Sequence, residues 1–170
     1  FGRQTSEDDI CRQCDSTVLG LKFMGSSDCG NEQKTILKGL YDVMGGDNWM
    51  LNNWLEELDE CLWTGIKCNE EGYVTDIDLH AMGLTGSPPV QMFALPYLKI
   101  LNFSENFINF QFDGISDATN LRELNLFSTG LKSLEDVEQL AATSLRRLIL
   151  PSNNLYGTIP DVFWDLPELR

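Results

Sequence analysis

Apolar residues recur through the second half of the chain with a period of about 24 residues. The units start at Val74, Leu98, Leu121 and Leu145, at spacings of 24, 23 and 24 residues, and Leu169 opens a fifth unit after another 24. Each start is followed by two apolar residues that flank one variable position, which is the alternation of a short strand. The inward-facing pairs are Ile77 and Leu79, Leu101 and Phe103, Leu124 and Leu126, and Leu148 and Leu150. One unit cannot bury its own apolar side, so the pattern predicts a stacked solenoid with a continuous core.

A different pattern precedes the repeats. Residues 31–44 predict an amphipathic helix, because Ile36, Leu37, Leu40, Tyr41 and Met44 form one apolar stripe. Asn31 is a suitable N-cap, and Gly45-Gly46 is a suitable stop. Trp49, Trp54 and Trp63 follow, either as core or as an exposed sugar-stacking platform.

The alternation that buries the apolar pairs aims the intervening side chains at solvent, in two rows. One row is Asp78, Asn102, Asn125 and Ile149; the other is His80, Ser104, Phe127 and Pro151. These eight residues are the candidate binding surface, and Phe127 has the character of an exposed anchor. Four strands offer only about 300 Å², against about 800 Å² per partner in a standard interface. These repeats alone are therefore too few for a complete ligand site.

The repeat frame L-x-x-L-x-L-x-x-N-x-L resembles the leucine-rich repeat family. Leu155-Tyr-Gly-Thr-Ile-Pro160 is similar to the L-x-G-x-I-P signature of the plant-type subclass, which the two middle units lack. The order Gly-x-x-Trp, Asn-Trp and Cys-x-Trp-x-Gly-Ile-x-Cys before the first strand resembles the N-terminal cap of that subclass. At the ninth position, where the family has an inward-turned Asn, the four units read Met82, Asn106, Thr129 and Asn153. Because Met82 cannot bond the turn, backbone or water must replace it there.

The resemblance implies an α/β leucine-rich repeat solenoid. A curved parallel sheet would form one side, with short helices, 3-10 turns or loops on the other. A helical, disulfide-bonded cap would cover the first repeat, with the three tryptophans as its core. The divisions are an N-terminal extension at 1–30, the cap at 31–73 and the repeats at 74–170.

Five cysteines indicate an oxidising compartment. We expect Cys61 bonded to Cys68, which would contribute about 2.5 kcal/mol by loop closure. We also expect Cys29 bonded to Cys11 or Cys14, with the remaining cysteine free or intermolecular. A zinc site at these cysteines is disfavoured, because too few ligands lie nearby.

Charge and composition exclude several function classes. With 12 basic and 26 acidic residues, the net charge of −14 disfavours nucleic acid and anionic membrane surfaces as partners. No apolar run is long enough to enter a bilayer. The acidic clusters at 56–60 and 70–71 lack a calcium-loop pattern and are interpreted as solvated surface. His80 has acidic neighbours but no accompanying nucleophile, so we predict no enzyme, cofactor or metal.

The leading interpretation is a secreted or extracellular module that recognises a protein or a glycan without catalysis. The alternatives are a structural subunit of an extracellular fibre, wall or assembly, and a secreted inhibitor of a wall-degrading hydrolase. Asn102-Phe-Ser104 is a glycosylation sequon whose glycan would stand on the binding face. Because no C-terminal cap follows Leu169, we expect further repeats or a partner to cover the edge of the last strand.

Overall fold

The computed structural model describes residues 32–50, 53–166 and 168–169. In these ranges the chain forms a helical segment, a five-stranded sheet, and a series of short turns that return from each strand to the next. The helices are α1 (Glu32–Val43) and α2 (Val162–Asp165). The strands are β1 (Ile66–Cys68), β2 (Val74–Asp78), β3 (Ile100–Asn102), β4 (Glu123–Asn125) and β5 (Arg147–Ile149). The 3-10 turns are Gly46–Asn48, Glu60–Leu62, Val90–Ala94, Ile115–Asp117 and Val137–Ala142. None of the helices in these ranges is long and apolar enough to span a membrane.

The strands lie in the sheet in chain order. Strands β2 to β5 are parallel, and equivalent positions of successive repeats pair directly, as in Ile77 with Leu101 and Leu101 with Leu124. The repeat period thus sets the register. Strand β1 pairs antiparallel with β2, and the repeat pattern did not predict this pairing. It extends the sheet into the cap.

The expected inward pairs form the core, although burial falls off at the last strand. Leu79, Leu101 and Leu124 are completely buried. In β5 and just after it, Leu148 and Leu150 are only partly buried. The solenoid core is therefore continuous from the cap through the third repeat and thinner at the fourth.

The three tryptophans are the core of the cap. Trp49, Trp54 and Trp63 are at most 5% exposed, and the ring centroids of Trp54 lie 5.0 Å from those of both others. Each indole N–H donates to a backbone carbonyl, which satisfies its only polar group. Burial excludes the sugar-stacking alternative for these residues.

The cap also contains the expected disulfide and one unexpected buried acid. Cys61 and Cys68 are bonded, with their Cα atoms 5.6 Å apart. The interpretation of the 56–60 cluster as solvated is wrong for Glu60, which is only 8% exposed. Its carboxylate accepts a hydrogen bond of 2.8 Å from Gln33, and the Lys34 ammonium lies 4.0 Å away. The carboxylate therefore helps to join α1 to the turn that carries Cys61. Residues 1–31, including Cys11, Cys14 and Cys29, lie outside the described residues.

Where the ninth residue of a repeat is asparagine, its side-chain amide bonds the turn of the repeat before it. The buried amide of Asn106 donates to the carbonyls of Leu79, Phe103 and Ser104 and accepts from the N–H groups of Gly83 and Leu84. Asn153 bonds the third turn in the same manner. One Asn thus satisfies backbone groups of two successive repeats.

Because these bonds run from one repeat back to the preceding one, the two departures from the family frame can be explained. Met82 is preceded by the cap rather than by a repeat, and its carbonyl accepts a backbone bond of 2.9 Å from Met50. At Thr129, the backbone carbonyl accepts from the N–H of Ile108 at 3.2 Å. The Thr129 hydroxyl also donates to the carbonyl of Leu126 at 3.1 Å, so a hydroxyl and a backbone carbonyl together take the place of the amide there.

Candidate recognition surface

The structure places the candidate residues on one face of the sheet, called here the strand face: the outward side chains of β2 to β5 and of the residues directly after them. Asp78, Asn102, Asn125 and Ile149 occupy paired positions and form one row. His80, Ser104, Phe127 and Pro151 follow two residues later in each repeat. The two rows expected from the sequence are therefore present.

The first row has a structural task that the sequence pattern did not reveal. The Oδ1 atoms of Asp78, Asn102 and Asn125 each accept a hydrogen bond from the backbone N–H two residues on, at 3.3, 3.0 and 3.0 Å. This is an Asx turn, which ends each strand. The next residue along, such as Glu105 at φ 57°, adopts a left-handed conformation in every repeat. These carboxyl and amide groups thus shape the chain at the ends of β2, β3 and β4.

Ser104 is not exposed, contrary to the prediction. It is 3% exposed, and its hydroxyl donates to Oδ1 of Asn102 at 2.7 Å. Nδ1 of His80 lies 2.9 Å from the same hydroxyl oxygen. Because the single hydroxyl hydrogen is directed at Asn102, the hydroxyl oxygen is left to accept from Nδ1 of His80.

This arrangement does not match a nucleophile and its base. A general base must accept the proton of the nucleophile, whereas here the imidazole donates to the hydroxyl. The buried serine is also inaccessible to a substrate. The network Asp78–Asn102–Ser104–His80 therefore braces the surface.

The glycosylation sequon falls inside that network. Asn102 is half-buried in β3, and its Nδ2 donates to Oδ1 of Asp78 at 2.9 Å. A glycan attached there would use one of the two amide hydrogens and would stand among the rows. Occupancy of Asn102 stays a prediction.

The strand face changes in chemistry along the solenoid. Its beginning is acidic, with Asp78 exposed beside half-buried Asp76. Its end is apolar, with Phe127 and Ile149 half-buried and Pro151 exposed. A surface with a charged part and an apolar part can orient a bound chain in one direction.

One ion pair lies on the last two strands, β4 and β5. Arg147 reaches Glu123 on the neighbouring strand, with Nη1 3.1 Å from the carboxylate oxygen. Both side chains keep substantial exposure, so the pair adds little to the free energy of unfolding.

Comparison with known proteins connects the fold and this surface to a family. No protein-family model matches the chain. The chain is 31% identical over 148 residues, 82% of its own length, to Receptor protein-tyrosine kinase CEPR1 of Arabidopsis thaliana. It is 26% identical over 157 residues, 88% of its length, to Serine/threonine-protein kinase BRI1-like 1 of the same plant. It spans only 15% and 14% of the lengths of these relatives.

A solved structure gives the same result. The chain is similar to the crystal structure of the Arabidopsis receptor kinase HAESA in complex with the peptide hormone IDA and the co-receptor SERK1. The match has a TM-score of 0.70 and 26% sequence identity, and it covers 82% of this chain and 24% of the chain in that structure. The chain is a plant-type leucine-rich repeat protein.

For a leucine-rich repeat protein, this chain is irregular on the side opposite the sheet. Where the resemblance implied short helices, 3-10 turns or loops, Val137–Ala142 forms a 3-10 turn. The residues before it, 130–134, belong to no helix or strand, and Gly130 has a left-handed φ of +80°. The middle repeats lack the Gly-x-Ile-Pro motif, and this absence was the sequence signal for irregularity on this side. It did not show which structure the residues in place of the motif would adopt.

Sequence reasoning also missed Phe107. Its side chain is 78% exposed at the edge between the strand face and the irregular side. It borders a shallow pocket with Glu105, Phe127 and Ser128. The alternation of Phe107, Ile108, Asn109 and Phe110 was present in the sequence, and the period of two could have identified Phe107 as outward-facing.

Proposed function

We propose that this segment is a non-catalytic, extracellular recognition module whose strand face binds another protein. One observation carries the proposal: a hydrogen-bonded polar network at His80 and Ser104 stands beside the apolar patch of Phe127, Ile149 and Pro151. Interfaces bind through apolar anchors surrounded by ordered polar groups. A rigid network also reduces the entropy lost when a partner docks.

The comparisons support a protein partner. The HAESA structure contains a peptide hormone and a co-receptor, and the curated relatives are named as receptor kinases. A polypeptide fits the strand face because the acidic and apolar parts lie on successive strands. Those strands are about 4.8 Å apart, and an extended chain crossing them would meet one part after the other.

Fewer observations support the alternative functions. A glycan ligand would be expected to stack on exposed aromatic rings, and the three tryptophans proposed for that role are buried. The structural-subunit alternative and the hydrolase-inhibitor alternative need neighbours that only an experiment can identify.

The test is site-specific photo-crosslinking of the secreted chain in extracellular fluid from its source. A benzophenone side chain is placed at Phe127, and the matched control carries it at Tyr156, which is 87% exposed away from the patch. We expect a specific protein adduct from position 127 and none from position 156. Adducts with other copies of the chain would favour the structural subunit, and a hydrolase adduct would favour the inhibitor. Equal adducts from both positions would contradict a strand-face site.

A further inference from the structure

Residues 107–113 have the burial pattern of a strand but no continuous pairing with a neighbouring segment among the described residues. Burial alternates strictly along the segment: Ile108, Phe110 and Phe112 are buried, whereas the residues between them are exposed. This alternation is that of an extended chain, although no residue of the segment belongs to the sheet. Such a segment presents backbone donors and acceptors that must bond something.

The hydrogen bonds at the start of the segment show which way these groups point. The N–H of Ile108 donates to Thr129 of the next repeat at 3.2 Å, and that of Asn109 donates to Gly86 of the previous repeat at 2.8 Å. Because backbone groups alternate sides in an extended chain, the N–H groups of Phe110 and Phe112 point toward the next repeat. Neither has a hydrogen-bond partner among the described residues.

A groove of about 720 Å³ lies between this segment and the next repeat. Its first wall is segment 107–113, and its second is formed by Gly130–Ser133 with Glu135 and Asp136. Lys132 and Ser133 on the second wall also have no backbone hydrogen bond to another described residue. Unpaired backbone therefore lines both sides of the groove.

An aromatic side chain covers one end of the groove. A Cβ atom placed on Gly130 would lie 2.9 Å from the Phe107 ring, so the ring lies directly over that glycine. The ring is nevertheless 78% exposed. It can gain substantial burial from a chain that enters the groove beside it.

The rim charges define the chemistry of the occupant. Asp113, Glu135 and Asp136 are exposed at the rim, against one cation, Lys132. A net charge of −2 favours a basic chain over an acidic one.

We propose that this groove binds an extended, basic segment of a partner protein, which adds as a strand between the two walls. The occupant would accept from the N–H groups of Phe110 and Phe112, as peptides do when they extend a sheet edge. Its apolar side chains would pack against Phe107, and its basic side chains would face Asp113 and Glu135. The site is separate from the strand face and does not depend on the function proposed above.

The test uses the 170-residue chain and a capped octapeptide that alternates valine and lysine. Amide hydrogen exchange measured by NMR should slow at Phe110 and Phe112 when the peptide is added. Exchange at Gln111 should stay unchanged, because its N–H points to the other side. A peptide that alternates valine and glutamate should bind at least about tenfold more weakly, which is about 1.4 kcal/mol.

Two controls separate strand pairing from simple charge attraction. The same valine–lysine peptide N-methylated at every second residue keeps its charge, but the methyl groups block the edge of the peptide that would pair, and it should also lose at least about tenfold in affinity. In the protein, Phe107→Ala should weaken binding severalfold, whereas Tyr156→Ala, at an exposed aromatic residue that does not line the groove, should leave it unchanged.

Several outcomes would overturn the proposal. Undiminished binding of the N-methylated peptide would mean that the acidic surface attracts lysine without pairing. Equal slowing at Gln111, or peptide-induced shifts confined to the strand face, would place the peptide elsewhere. Protection of Phe110 and Phe112 without peptide, together with dimers in light scattering, would mean that a second copy occupies the groove.

Discussion

The two sides of the solenoid follow different rules. On the strand side, every repeat has the same register, and the first three end their strands with the same Asx turn. On the opposite side, the turns of the described repeats are 3-10 segments of different lengths, and segment 107–113 is held by single backbone bonds at Ile108 and Asn109 rather than by a ladder. The strand side is regular because each residue bonds its equivalent in the neighbouring repeat, so a departure costs hydrogen bonds in two repeats at once. The opposite side tolerates departures, and the groove lies there.

The largest effect expected from this comparison is at Asn106. Asn106→Ala removes five hydrogen bonds and leaves buried backbone groups of two repeats unpaired. We expect a loss of about 4 kcal/mol in the free energy of unfolding, measured by urea denaturation. Asn109→Ala, in the same repeat but exposed on the irregular side, should change it by less than about 0.5 kcal/mol. Equal losses would show that the two sides are equally constrained.

A second comparison lies within the irregular side itself. Phe110 is 5% exposed and packs against the rings of Phe93, Phe103 and Phe112. Phe110→Ala should therefore cost about 3 kcal/mol, whereas Phe107→Ala should cost less than about 0.5 kcal/mol. Thermal or urea denaturation of the two variants measures the difference. A large loss at Phe107 would contradict the alternation on which the groove depends.

Two glycines in left-handed conformation test the position of the Phe107 ring. Gly83 and Gly130 both have φ of +80°, but only at Gly130 would a Cβ atom meet that ring. Gly83→Ala should cost about 1 kcal/mol from backbone strain, and Gly130→Ala somewhat more. In a Phe107→Ala background the two costs should become equal. A persistent difference would mean that something other than the ring opposes substitution at Gly130.

The smallest expected effect concerns the stability of the folded chain at alkaline pH, through Tyr41 in the cap. Burial raises the pKa of the Tyr41 phenol above 10.0, helped by its hydrogen bond to Asp47 and by the charges of Asp47, Asp42 and Glu56. The folded chain therefore holds this proton at a pH where the unfolded chain has lost it, so stability falls as pH rises above about 10. Tyr41→Phe should flatten the decline of Tm over that range. Asp47→Asn should give an intermediate slope, and an unchanged slope in Tyr41→Phe would exclude Tyr41 as a cause.

The sequence predicted the strand side well, because its determinants are local and periodic. A repeat of 23 or 24 residues with a buried pair every time can satisfy its apolar side in only one way, by stacking in register. The order of Trp and Cys residues likewise predicted a cap with a buried aromatic core. Burial of Ser104 could not be predicted in this way, since it depends on His80 and Asn102 from two different repeats.

What the sequence alone determined is therefore the repeat, its register, the cap and the row to which each outward residue belongs. The tertiary structure decided which of those residues are available. It buried Ser104, engaged Asn102 with Asp78, and left the N–H groups of Phe110 and Phe112 beside a groove without a partner among the described residues. The physical reason is that the spacing of apolar and polar residues determines the structure within one repeat. Hydrogen-bond satisfaction, by contrast, is settled between repeats, where the path of one turn determines what its neighbour can bond.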